Sequence, residues 1–401
     1  MSVPKNSDSA SDPSVALREL AVFFLRLGAT AFGGPAAHVA MMEQELVQRR
    51  GWLSREKFLD LLGASNLIPG PSSSELAIHI GYLCAGWAGL LMAGICFILP
   101  AALMVAGLAW AYVHFGHLPA ISWVLYGVKP VVIAVVVQAL WSLGRTAIKT
   151  PLLFAVALGA AAMAFYGLHP LLLLGVAGVM TVILKEGISG RESVASPCLA
   201  PLAYSPQSAV RLIAAGGAAV AAPFTLGSLF LVFLKAGAIV FGSGYVLLAF
   251  LRADLVVHRS WLTDSQLVDA IAIGQVTPGP VFTTATFIGF ILGGFRGAVV
   301  ATIGIFLPAF LLVAASGPLV PRIRKSRIAS AFLDGVNAAS LALMAAVTWQ
   351  LGRASITDIL TAILAAGSLI VLLRFRINSL WLLLASAALG VMAHALHHGI
   401  W

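Results

Sequence analysis

Long apolar runs separated by short polar joints make up this chain, and the joints carry most of the information. Val15 to Phe32 reads as an apolar helix that stops at Gly33-Gly34-Pro35, where glycine and proline interrupt helical geometry. The stretch Glu43 to Lys57 is the most charged part of the chain and belongs in water or at an interface. Ser54 opens a helix that runs through Phe58 to Ile68 into Pro69-Gly70-Pro71, and Ser72-Ser73-Ser74 opens the next through Glu75 and His79. Apolar spans then follow at Gly81 to Tyr112, Ile121 to Leu143, Leu152 to Tyr166 and Leu171 to Leu184, the first with a proline kink expected at Pro100.

The same order then recurs. Phe224 to Phe241, the amphipathic Arg252 to Thr277, and the spans Gly289 to Ala315, Ala329 to Leu351, Ile356 to Leu373 and Leu380 to Ala395 reproduce it, with Pro308 in the place of Pro100. The register is constant: 241 − 32, 261 − 52, 269 − 60 and 278 − 69 all equal 209, falling to 208 after one residue is lost beyond the second Pro-Gly-Pro. Such agreement marks an internal duplication. Expected units are a polar tail over 1–14, a first repeat over 15–185, a connection over 186–222 and a second repeat over 223–401. Whether Ala209 to Ala222 crosses a membrane stays open.

Composition fixes the class. The 401 residues are 60% hydrophobic and only 10% charged, with a mean hydropathy of +0.99, far from the quarter or so of charged residues in soluble domains. The chain is therefore expected to be an all-α polytopic membrane protein, because a spanning segment must satisfy its own backbone hydrogen bonds. The net charge of +9 sits in short loops and forms no basic domain for nucleic acid. Loop charges alternate out of phase between the copies: Arg145 and Lys149 are basic in the first, whereas Arg322, Arg324, Lys325 and Arg327 follow the non-equivalent joint in the second. By the positive-inside rule the repeats are inverted, each with about five transmembrane helices plus a re-entrant pair broken at Pro-Gly-Pro.

Paired breaks in two repeats are the sequence-level pointer to a transport site. The duplicated motifs Phe32-Gly33-Gly34-Pro35, Gly51-Trp52-Leu53 and Pro69-Gly70-Pro71 also resemble those of the chromate ion transporter family, in its long two-domain form. The resemblance covers nearly the whole chain. It implies a secondary active transporter exporting chromate, with sulfate as the look-alike anion, across a bacterial inner membrane by alternating access, and so conferring resistance. A sulfate or other anion exchanger, an anion channel, or a non-transporting scaffold are the rivals. Membrane lipid and a second copy of the chain are the expected partners.

An oxyanion site needs hydrogen-bond donors and a positive field. The first copy offers Gly33, Gly34, Pro69, Gly70, Pro71, Ser72, Ser73, Ser74 and Asn66; the second offers Gly242, Ser243, Pro278, Gly279, Pro280, Thr283, Thr284 and Gln275. Two half-helix starts brought together would form a cradle. Arg26 and Lys235, equivalent positions inside apolar spans, would either neutralise the anion or snorkel to an interface. Lys129 would face the site or pair with Glu75. Glu75 and His79, four residues apart, are coupling candidates or a structural ion pair, and Asp60 and Asp269 are a second, duplicated pair of acids. Cys84, Cys96 and Cys198 have no metal or disulfide spacing, and His394, His397 and His398 lack further ligands, so no metal or cofactor is expected. Nucleophile-elbow, phosphate-loop and dinucleotide patterns are missing, which argues against an enzyme.

Overall fold

The computed structural model describes residues 16–116, 118–189, 224–240, 246–375 and 379–397. The expected N-terminal tail, the segment Ala209 to Ala222, and Gly242 and Ser243 lie outside them. Every regular element among the described residues is helical. The first repeat contains α1 (Leu17–Thr30), α2 (Gly34–Met42) running on into a π-helical stretch (Glu43–Arg49), α3 (Arg55–Ser65), α4 (Ser72–Phe115), α5 (Pro119–Ala147), α6 (Pro151–Phe165) and α7 (Pro170–Ser189). The second contains α8 (Leu226–Ile239), α9 (Leu247–Leu251) with its own π stretch (Arg252–His258), α10 (Asp264–Val276), a 3₁₀ turn (Val281–Thr283), α11 (Thr284–Lys325), α12 (Arg327–Ser355), α13 (Ile359–Phe375) and α14 (Ser379–His397). Among the described residues, four helical stretches are long and apolar enough to cross a membrane, Ser72–Phe115, Ile121–Ala147, Val281–Ser316 and Arg327–Ser355, and several shorter apolar helices accompany them. Leu103, Leu158, Ile183 and Ile363 stand exposed on the outside, as lipid-facing side chains do.

Both of the longest helices reverse direction near their starts. Ala85 and Gly86 leave helical geometry, Gly86 at φ +58°, and so do Gly293 and Gly294, the latter at φ +60°. Across each reversal two glycines touch backbone to backbone. A Cβ on Gly81 would lie 2.3 Å from the Gly89 carbonyl oxygen, and one on Gly289 would lie 2.3 Å from that of Gly297. The hairpin in the second repeat is further tied by Thr286 and Thr302, 2.7 Å apart. Hence 72–84 is a half-helix that returns, and 87–115 is the crossing helix. The backbone stays helical at Pro100, where the kink is expected, and the departure from helical geometry lies at Ala85-Gly86. Glycine at positive φ turns the chain, whereas proline is accommodated within an intact helix.

A further hairpin precedes this one, and the sequence reading did not separate it. α1 has 14 residues, about 21 Å, and the chain after it turns back: Arg50 stacks 5.7 Å from the Phe23 ring and 4.9 Å from that of Trp52. Leu20, Phe23, Phe24, Met42, Leu46, Phe58, Leu76 and Phe97 close a core among these half-helices. α1 crosses the middle of the long helix at Gly28, where a Cβ would be 2.3 Å from the Phe97 carbonyl oxygen; in the other repeat a Cβ on Gly237 would be 2.2 Å from that of Ile305. Outside the apolar layer, Glu45 bonds to Arg50 at 2.9 Å, and that hydrogen bond, more than its attraction to Arg49, holds the Glu45 carboxyl below its ordinary 4.5.

The inversion follows from helix directions. Gly127 of α5 packs on Ser386 of α14, and Gly390 of α14 packs on Trp123 of α5, an antiparallel pairing. On α12, Gly352 lies beside Ile133 of α5, while Asn337 and Ser340 share a cavity with Gln138, Ser142 and Thr146, which is again an antiparallel pairing. α5 and its equivalent α12 therefore run oppositely. Tyr126, near the start of α5, bonds to Asp358, just beyond the end of α12, while Lys185 at the end of α7 reaches Asp334 at the start of α12, 2.7 Å away. The two repeats are related by a pseudo-twofold axis in the membrane plane.

Candidate functional site

At the centre, each Pro-Gly-Pro turn is fastened to the opposite repeat. The Gly70 N–H donates to the Val240 carbonyl at 2.7 Å, and the Gly279 N–H donates to the Ala31 carbonyl at 3.0 Å. These acceptors are equivalent, each one residue past the first helix of its repeat, where a helix leaves carbonyls unsatisfied. Gly70 (φ +140°) and Gly279 (φ +88°) hold backbone angles that side chains resist. Pro69, Pro71, Pro278 and Pro280 flank them. The duplicated breaks thus form the reciprocal joint of the molecule.

Beside the first break lies a cavity of about 700 Å³, lined by Gly33, Pro35, Asn66, Ser72, Gln138, Ser142, Thr146, Asn337 and Ser340 together with apolar neighbours. Two helix starts meet there. α2 begins after Gly33, in left-handed geometry, and α4 begins after Pro71; neither receives a side-chain cap. Their first N–H groups therefore leave a positive end without a capping acceptor. The described side chains lining the cavity carry no charge. They are amides and hydroxyls, groups that replace a hydration shell, and the Ser340 hydroxyl is buried without a partner. Exposed Asn66, Ser142 and Thr146 place the mouth at the molecular surface.

The structure brings together some of the sequence candidates and separates others. Gly33, Asn66 and Ser72 line the cavity, with Gly34 (φ +74°) in the adjoining turn. Ser73 is buried and meets His38 Nδ1 at 3.3 Å; Ser74 is buried with its hydroxyl unpartnered. In the second repeat, the Thr283 hydroxyl donates to the Pro280 carbonyl and the Thr284 hydroxyl to that of Val281, each at 2.8 Å, so both serve their own turn. Gln275 is half-buried on α10. Among the described residues, the cavity is bounded by two helix starts of the first repeat, by α5 and α12, and by Val246 of the second repeat.

Charged candidates are distributed unevenly. Lys235 pairs with Asp254 at 2.9 Å, whereas Arg26 is exposed on α1, opposite the buried Phe23, Phe24 and Leu27. Lys129 does not pair with Glu75. It meets Asp269 at 3.1 Å and Ser265 at 2.7 Å, because α10 of the second repeat packs against α5 and supplies the nearer acid. Tyr112 donates to the other Asp269 oxygen at 3.0 Å. Asp269 is buried and its equivalent Asp60 is exposed, so the duplicated acids have diverged. Glu75 is fully buried with both oxygens unpartnered, and His79 reaches Ser316 of the second repeat at 2.9 Å. Among the described residues no cluster has the composition of a metal site.

Sequence reading passed over Gln138, Ser142, Thr146 and Ser340. A signal was present, since 138, 142 and 146 recur every four residues in an otherwise apolar helix and so share one face.

Comparison with known proteins adds an independent line. A family profile described as Chromate transporter matches residues 18–182 and again 227–391. A chromate transport protein of Cupriavidus metallidurans is 35% identical over 398 residues, covering 96% of this chain and 95% of that one. A probable chromate transport protein of Synechococcus elongatus is 34% identical, covering 91% and 93%, and a chromate transport protein of Pseudomonas aeruginosa is 33% identical, covering 86% and 83%. No solved structure matches the chain.

Proposed function

Because this chain belongs to the chromate transporter family, we propose that it is a secondary active transporter that moves chromate, and related tetrahedral oxyanions such as sulfate, out of the cell across a bacterial inner membrane by alternating access, conferring resistance. The observation that carries this reading is the cavity at Ser72, where two uncapped helix starts face a wall of neutral donors. A doubly charged oxyanion is held there by N–H groups, amides and hydroxyls that take the place of water. Ser72, Asn66 and the Gly33 turn contact it from one repeat; Asn337 and Ser340 contact it from the other. Contacts from both halves let a relative movement of the repeats change the side on which the anion is exposed. Relatives named as transport proteins point away from enzymatic activity.

Reconstitution into vesicles tests this. Chromate should accumulate saturably against a gradient, with sulfate competing, and Asn337→Leu should weaken apparent affinity by about tenfold, as the loss of one or two hydrogen bonds to a charged ligand does. Flux that never exceeds equilibrium would identify a channel; no chromate flux at all would overturn the reading.

A further inference from the structure

Glu75 has an unusual place in the molecule. It lies three residues after Ser72, one helical turn beneath the cavity on the same face of α4. It is 0% exposed and neither oxygen has a hydrogen-bond partner. Its carboxyl occupies space that the Pro-Gly-Pro turn leaves free: a Cβ on Gly70 would lie 2.3 Å from Glu75 Oε1. The titratable groups on the surrounding elements are otherwise engaged or turned outward. His38 on α2 meets Ser73, and His79 on α4 meets Ser65 and Ser316. Lys235 on α8 holds Asp254, while Arg26 on α1, Asp60 on α3 and Arg296 on α11 are exposed. At the equivalent position of the second repeat (283 − 75 = 208) stands Thr283, whose hydroxyl is satisfied by Pro280.

An acid with no counter-charge, one turn below an anion site, must be neutralised when the anion is present, since two like charges in a dry interior repel strongly. Resting on the reading of the cavity as an oxyanion site, we propose that Glu75 binds one proton whenever the anion occupies the cavity. One carboxylate oxygen takes the proton on loading and gives it up on release. The transported unit is then the dianion plus a proton, with net charge −2 + 1 = −1, which an interior-negative potential drives outward. His79 with Ser65 and Ser316 supplies hydrogen-bonding groups beside Glu75 for the proton's passage. Proton and anion binding are reciprocal by linkage: lower pH tightens anion binding, and the anion draws in a proton.

The test compares the purified wild-type protein with Glu75→Gln and Glu75→Asp, measuring chromate affinity between pH 6 and 8. Chromate's own titration is common to all three, so the difference between proteins isolates the side chain. Wild type should gain up to about tenfold in affinity, relative to Glu75→Gln, for each pH unit lowered, as one linked proton requires; Glu75→Asp should restore the slope. A folded Glu75→Gln whose profile parallels wild type overturns the proposal. Should that variant not fold, proton uptake by wild type on adding chromate decides: about one proton per anion beyond that taken by chromate itself supports it, and none overturns it. Absence of saturable chromate binding by wild type at every pH would instead remove the transport reading beneath it.

Discussion

The surroundings of Ser72 in the first repeat and of Thr283 in the second are built on the same backbone and filled with different chemistry. Both have a Pro-Gly-Pro turn tied across the pseudo-twofold, a glycine contact on the long helix (Gly28, Gly237) and a glycine reversal (Gly86, Gly294). The first surrounds a polar cavity. Four of its wall positions have buried apolar equivalents in the second: Leu248 stands for Val39, Ile271 for Leu62, Ala346 for Gln138 and Val132 for Ser340. Asn337 in the cavity wall corresponds to Lys129, whose charge is matched by Asp269. Backbone geometry is thus shared because both halves must turn and pack alike, while side-chain chemistry is free to diverge once each half has a separate task.

The largest expected effect bears on that divergence. Asp269→Asn leaves the largely buried Lys129 without its counter-charge and should cost about 3 kcal/mol of stability, whereas Asp60→Asn at the exposed equivalent should stay within about 0.5 kcal/mol. Thermal unfolding in detergent measures both; equal losses would mean the acids still share one role. Smaller, and equal in the two halves, should be the effect of Gly28→Ala and Gly237→Ala. Each forces a methyl group against a backbone carbonyl, for about 1–3 kcal/mol. A cost confined to one repeat would break the claim of a common scaffold.

Much of this was legible in the sequence because the scaffold depends on residues with unmistakable backbone properties. Pro69-Gly70-Pro71 and its copy, the constant register and the apolar spans give the helices, the duplication and the re-entrant pair directly. The α1–α2 hairpin was hidden, since α2 is short and merges into a charged π-helical stretch that reads as interface. Partners across the pseudo-twofold were hidden too. Nothing local tells that Lys129 meets Asp269 and leaves Glu75 alone, or that Asn337 and Ser340 of α12 close a cavity opened by Ser72, because these contacts arise only when inverted halves interlock. Gln138, Ser142 and Thr146 mark a polar face on α5 by their spacing, but spacing alone does not say which element that face meets.

The central claim is that inverted halves hold one anion cavity on the side of the first repeat. Cysteine labelling tests it most directly, with Ser142→Cys at the cavity mouth and Gln350→Cys at the equivalent position of α12. The account predicts that a membrane-impermeant thiol reagent reaches the two from opposite sides of the membrane and that chromate slows labelling of Ser142→Cys alone. Labelling of both from the same side, or equal indifference of both to chromate, would contradict it.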